Sequence, residues 1–210
     1  MMEFIDHIFA KTIPPPIQPG RLYDYIVASN GTFVRAWRPG LSAMIQIGDG
    51  SSMRGLVDVQ PYVMLESQVP VRLTAAMLTK AHEMGEKEIL FYLSGGCRTL
   101  NQPWKVMIPR QTATQTSVKV VNGDSGADTL IELHSHHNMP AFFSSTDDKE
   151  EQTGFRIYAV IGKLDRAPEI LVRVGIYGHF GYVPAASIFG LPSVLNDPYT
   201  IIFEVDHERD

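Results

Sequence analysis

The chain has 210 residues, 44% of them hydrophobic, with a formal net charge of −5 and one cysteine, Cys97. These values suit a folded chain with one sizeable core, or a main domain with a small appendage. They exclude a disordered polymer, an intramolecular disulfide framework and the basic footprint that nucleic acid attracts. The start, Met1-Met2-Glu3-Phe4-Ile5-Asp6-His7, is acidic rather than a basic run leading into an apolar one, and no apolar stretch is long enough to span a bilayer. The expectation is a cytoplasmic protein with neither membrane nor nucleic-acid partners.

The first feature in chain order, Ile13-Pro14-Pro15-Pro16-Ile17-Gln18-Pro19-Gly20, cannot be helix or central strand and reads as an extended arm. Residues 23–28 and 32–37 are β-formers on either side of Asn30-Gly31, a strong hairpin signal. Residues 41–47 supply a third strand, closed by Gly48-Asp49-Gly50-Ser51-Ser52, and residues 56–65 another. Residues 1–65 are therefore expected to form a small β-rich unit without a chemical motif, and residues 66–210 a second domain. From Pro70 the period changes. Leu73, Met77, Leu78, Ala81 and Met84 recur at helical spacing and predict an amphipathic helix over 71–84, its methionines in the core. Strands are predicted at 88–93, 104–109, 117–121 and 129–134, with Asn122-Gly123-Asp124 as a turn. An acidic helix follows, opening near Ser144. Strands at 155–161 and 169–180 then join through Lys163-Leu164-Asp165-Arg166-Ala167-Pro168, before a short helix at 184–189 and a strand at 201–205. The pattern is that of an α/β chain, either of the α+β kind or an α/β/α sandwich.

The chemistry concentrates in one segment. His134-Ser135-His136, then Ser144 and Asp147, place two imidazoles, a hydroxyl and a carboxylate together in a chain with seven histidines. Two neutral imidazole nitrogens and a carboxylate oxygen suit Zn²⁺, and three protein ligands leave the fourth tetrahedral position open. Residues two apart on a strand share a face, so His134 and His136 project the same way from the end of the apolar run 128–136. The hydroxyl-capped helix start brings Asp147 back toward them. Singly, a strand-end histidine is commonly structural and a serine with an aspartate three residues on is a capping pair; together they favour the metal. Three glutamates are candidates for a general base. Glu132 shares the face of His134 and suits an outer-shell role, Glu66 precedes the helix as a solvated residue, and Glu88 begins the strand after the Gly85 break. Cys97, in Ser94-Gly95-Gly96-Cys97, reads as a small turn residue rather than a nucleophile.

These residues resemble the JAMM motif of the MPN-type metalloproteases, the JAB-domain family that includes the metal-dependent deubiquitinases, at all four motif positions. The resemblance implies an MPN-type sandwich, Zn²⁺ held by His134, His136 and Asp147, Ser144 as oxyanion donor, and Glu88 as the base, since Glu88 to Gly95 matches the E-x-x-x-x-L-S-G pattern of that family. One departure is His137-Asn138-Met139-Pro140, where many members have proline directly after the second histidine; alternation points His137 away from the metal face. The run from Ile131 to Asp148, with Arg173 to Phe180, looks like the PRTRC system protein A group, bacterial JAMM-domain proteins found with a ubiquitin-like protein and activating- and conjugating-type enzymes. That implies a zinc-dependent peptidase or isopeptidase acting at the C-terminus of a small ubiquitin-like protein. The alternative is an MPN-type scaffold or binding module in such a conjugation system. Zinc deaminase chemistry is excluded, because it needs a P-C-x-x-C ligand pair and the chain has one cysteine. The acidic helix runs almost directly into the strand at Phe155, so the insertion that helps relatives grip ubiquitin is missing. Recognition falls to the 93–129 connection and the N-terminal unit.

Overall fold

The structure, a computed structural model, describes residues 4–18, 20–50, 52–121 and 126–199. Five strands, β1 (Ile5–Phe9), β2 (Tyr23–Ala28), β3 (Gly31–Arg38), β4 (Leu41–Asp49) and β5 (Tyr62–Leu65), pair in sequence order into one sheet. All its pairs are antiparallel except β1–β2, which is parallel. The hairpin forms where Asn30-Gly31 predicts it, with Ala28 opposite Gly31. Gly31 adopts φ 150°, and a Cβ there would lie 2.5 Å from the Gly48 carbonyl oxygen, so the position is restricted to glycine. The strand expected across 56–65 shrinks to β5. Val57 pairs instead with Ala10 and Ser29, and Pro61 has no N–H to give a ladder. The parallel β1 went unforeseen, being five residues with no buried side chain.

Helix α1 (Val71–Glu83) follows the predicted period and buries Thr74, Met77, Leu78 and Ala81. After it come β6 (Leu90–Ser94), β7 (Lys105–Met107), a separate hairpin of β8 (Gln111–Ala113) and β9 (Val118–Val120), β10 (Thr129–Ser135), helix α2 (Ser145–Glu150), β11 (Phe155–Gly162), β12 (Glu169–Ile176) and β13 (His179–Val183). The second sheet has the order β13-β12-β11-β10-β6-β7, with β10 and β11 parallel and the other pairs antiparallel. The strand predicted over 169–180 is two strands, because Tyr177 (φ 46°) and Gly178 (φ 88°) reverse the chain with Ile176 opposite His179. A non-glycine residue with positive φ gives no warning inside a run of β-formers. The short helix expected at 184–189 is a single 3-10 turn at Ala185–Ser187. The Asn122-Gly123-Asp124 turn and the 201–205 strand lie outside the described residues. Large mixed sheets with few helices place the chain in the α+β class.

Alternation along β3 and β4 serves two cores. Val34, Ala36, Ala43 and Ile45 join Met77, Phe91, Ile131, Ile157 and Val172 in the main cluster, while Phe33 and Met44 face a smaller one with Ile26, Ala28 and Val59. Arg38 fastens the two sheets, donating to the carbonyls of Thr129 (3.1 Å), Phe155 (3.2 Å) and Ala127 (3.0 Å). Among the described residues no helix is long and apolar enough to cross a membrane.

Candidate metal centre

Strand β10 sits between β6 and β11, and its apolar residues Leu130, Ile131 and Leu133 are buried. His134 lies opposite Leu90 on one side and Val160 on the other. One residue past the strand, the His136 N–H donates to Ile161 O at 2.7 Å and keeps the extended course, so both imidazoles leave on one face. They are 9% and 5% exposed, with their Nε2 atoms 3.1 Å apart. Helix α2 begins with a complete capping box. Asp147 N donates to Ser144 Oγ at 3.2 Å, while Asp147 Oδ2 accepts from Ser144 N at 2.6 Å and from Ser144 Oγ at 2.7 Å. The other oxygen, Asp147 Oδ1, is then left 3.7 Å from His134 Nε2.

The three donor atoms lie within 4.8 Å of one another. Zinc–nitrogen and zinc–oxygen bonds of about 2.0–2.1 Å in a tetrahedron imply ligand separations of about 3.4 Å, a value that the 3.1 and 3.7 Å contacts bracket. Protonation agrees. Burial pushes His134 down to about 4 against the opposing pull of Asp147, and burial likewise lowers His136. Both rings are therefore neutral near pH 7. The Pro140 carbonyl, 3.3 Å from His136 Nδ1, accepts that N–H and leaves Nε2 with the lone pair, the usual outer-shell arrangement of a ligating histidine.

Glu88 enters the same cavity, of about 430 Å³, which His134, His136, Phe142, Ser144 and Asp147 also line and Val118 and Lys119 of β9 wall. Its backbone is fixed on both sides. Glu88 N donates to Thr114 O at 2.9 Å, and the next residue, Ile89, exchanges hydrogen bonds with Ser135 through the serine's hydroxyl and N–H, each at 3.1 Å. The side chain is 3% exposed, and among the described residues no hydrogen bond reaches its carboxylate. Burial first, then the negative charge of Asp147, raise it to about 7. A carboxyl poised there is matched to proton transfer at neutral pH.

The other candidates fall elsewhere. Glu132 lines the cavity but is ion-paired with Arg156, which opposes the burial that raises its pKa. Glu66 accepts from Thr99 Oγ1 (2.5 Å) and Thr99 N (2.9 Å) and contacts Cys97 Sγ, which hold it down at about 2, away from the histidines. Cys97 is buried in that turn. His137 is buried with φ 49°, does not line the cavity, and its Nε2 has no partner among the described residues. Sequence reading missed the support behind α2: Arg173 of β12, stacked between Phe143 and Phe180 and paired with Glu151 and Asp148. Its one signal was a lone charge in the apolar run Ile170-Leu171-Val172-Arg173-Val174.

Fold and site together define the class, an α+β domain built around a convergent His-His-Asp cluster. Over residues 70–174, half of its length, the chain matches the family of prokaryotic homologs of the JAB domain, and it belongs to that family. The matched span holds Glu88, His134, His136, Ser144 and Asp147, whereas β1 to β5 and β13 lie outside it. Among curated proteins, none matches the chain.

Proposed function

We propose that this chain is a zinc-dependent peptidase or isopeptidase that cleaves at the C-terminus of a small ubiquitin-like protein. The observation that carries the reading is Glu88, a nearly buried residue whose carboxyl lines the same cavity as three convergent metal donors. A carboxyl held at a nearly buried position, facing the cavity and making no hydrogen bond among the described residues, gives the fold nothing in return, whereas a general base needs that placement. His134, His136 and Asp147 would hold the zinc. When bound, zinc supplies a Lewis acid that polarises an amide carbonyl and brings a water's pKa to about 7. Glu88 takes the proton of the attacking water and delivers it to the leaving amine. Ser144 Oγ turns from Asp147 to the charge developing on the carbonyl oxygen.

The resemblance to the PRTRC system protein A group supports the substrate class and the activating- and conjugating-type partners. An extended tail would suit the cavity by pairing along β9, which lines it and is joined to β8 alone in a two-stranded sheet among the described residues. One observation favours a scaffold role: an apolar cavity of about 750 Å³ on the N-terminal sheet, between the Pro14 and Pro16 arm and Trp37, Met44 and Tyr62. The test is to incubate zinc-loaded protein with a ubiquitin-like protein bearing a C-terminal extension or an isopeptide-linked peptide, and to identify products by mass spectrometry. Cleavage at the tail, lost in Glu88→Gln, supports the peptidase. Tight binding without cleavage by protein carrying stoichiometric zinc makes it a scaffold.

A further inference from the structure

Helix α2 supplies Asp147, and its N-cap is Ser144, yet none of its six residues, Ser145–Glu150, is buried. A helix this short is not stable alone, and without an apolar face it has no hydrophobic means of docking. What fastens it is polar and comes chiefly from β12, with one further bond from the Tyr158 hydroxyl of β11 to Glu151 O at 3.4 Å. Arg173, 3% exposed, donates from Nε (2.9 Å) and Nη2 (2.6 Å) to Glu151 Oε2 at the C-cap, and from Nη1 to Asp148 Oδ1 at 2.7 Å. Its guanidinium carbon lies 3.9 Å from the Phe143 ring centroid and 4.0 Å from that of Phe180, so the residue before the N-cap is gripped too. One side chain therefore holds the segment at both ends, around the position where Asp147 faces His134.

We propose that Arg173 is a positioning residue that docks α2 on β12 and thereby sets the place of Asp147 and Ser144 opposite the two histidines. The inference rests on the metal reading of the site for its consequence, and on the contacts alone for the docking. Neither charge nor bulk suffices. Lysine keeps the charge but lacks the planar fork and the two stacking faces.

The test compares wild type, Arg173→Lys, and Arg173→Met combined with Glu151→Gln; the double change removes the clamp without stranding a buried carboxylate. Zinc affinity is measured by chelator competition, and hydrogen exchange is followed by mass spectrometry on metal-free protein. Both variants should bind zinc at least about 10-fold more weakly, the scale of losing an outer-shell partner. Peptides covering 145–150 should exchange faster while β11 and β12 stay protected. Val174→Ala, a core truncation one residue along the same strand, lowers the melting temperature without moving zinc affinity and so separates docking from general stability. Wild-type affinity in the double variant, or unchanged exchange in α2, overturns the proposal. If the double variant does not fold, Arg173→Lys carries the same comparison. If wild type itself takes up no zinc, the metal reading fails, and the exchange arm alone decides whether Arg173 docks the helix.

Discussion

Replacing Glu88 by glutamine should change the pH dependence of stability in the metal-free protein. The folded chain holds the Glu88 carboxyl near 7 against an ordinary 4.5, chiefly through burial and secondarily through Asp147. A raised acid binds its proton more tightly when folded than when unfolded. The stability it contributes is therefore fully present below about pH 4.5 and is lost as the pH rises through about 7. At roughly 1.4 kcal/mol per tenfold change in proton affinity, the wild type should lose at most about 3 kcal/mol relative to Glu88→Gln between pH 4.5 and 8, solvent in the cavity screening part of it. In a chain of this size that amounts to a melting-temperature difference changing by at most about 6–12 °C. The titrations of His134 and His136 are common to both proteins and largely cancel in the difference. Denaturant or thermal unfolding of both proteins in chelator, at four or five pH values, reads the effect directly. Adding Asp147→Asn to both should shrink it, since the second cause is removed. A stability difference that stays flat from pH 4.5 to 8 would refute the claim that Glu88 is a buried acid held for proton transfer.

Protein purified without chelator should carry about one zinc per chain by metal analysis, and His134→Ala with His136→Ala should carry none; stoichiometric zinc in that double variant would remove these residues as ligands. Glu88→Gln should keep its zinc yet turn over at least about 100-fold more slowly, and near-normal turnover would move the base elsewhere. Ser144→Ala should cost about 1 kcal/mol through the lost cap and slow turnover by about 100-fold through the lost oxyanion donor, so unfolding and kinetics must both move. Gly162→Ala should weaken both stability and zinc affinity, because its Cβ would stand 2.3 Å from Ala141 N and 2.5 Å from Met139 O, in the loop whose Pro140 carbonyl holds His136. Unaltered chelator competition would show that the loop yields freely.

Elements with strong periodicity were readable from the residues. The α1 stripe, the Asn30-Gly31 hairpin and the apolar run before His134 all stand where propensity and burial agree. Misses occurred where a tertiary partner or an unfavoured backbone decided. Tyr177 adopts a positive φ that its type disfavours, β1 forms only because β2 offers a parallel edge, and β8 is a three-residue strand made by pairing with β9, which lies in the strand predicted at 117–121. In the site, short-range spacing brought His134, His136, Ser144 and Asp147 together. Glu88 was reachable only through the resemblance, because its place depends on β6 pairing with β10 from more than forty residues away. Arg173 was beyond reach for the same reason, its partners being on α2 and at Phe180 of β13.

Under the proposed peptidase reading, capping and catalysis need not compete at Ser144. Its single hydroxyl proton is committed to Asp147 Oδ2 at 2.7 Å, so the capping-pair reading of Ser144 and Asp147 is correct as far as it goes. Yet the same oxygen of Asp147 also accepts the Ser144 backbone N–H at 2.6 Å, and Asp147 N still donates to the hydroxyl oxygen. If the hydroxyl proton turns away, the carboxylate keeps one of its two Ser144 bonds and the helix start keeps its cap. The cost of freeing the donor is then about that of one charge-assisted hydrogen bond, roughly 1.5–3 kcal/mol, and a new bond to the developing oxyanion offsets it. The box thus does two things at once. It fixes Asp147 Oδ1 toward the histidines and keeps beside them a hydroxyl whose release leaves the helix start intact.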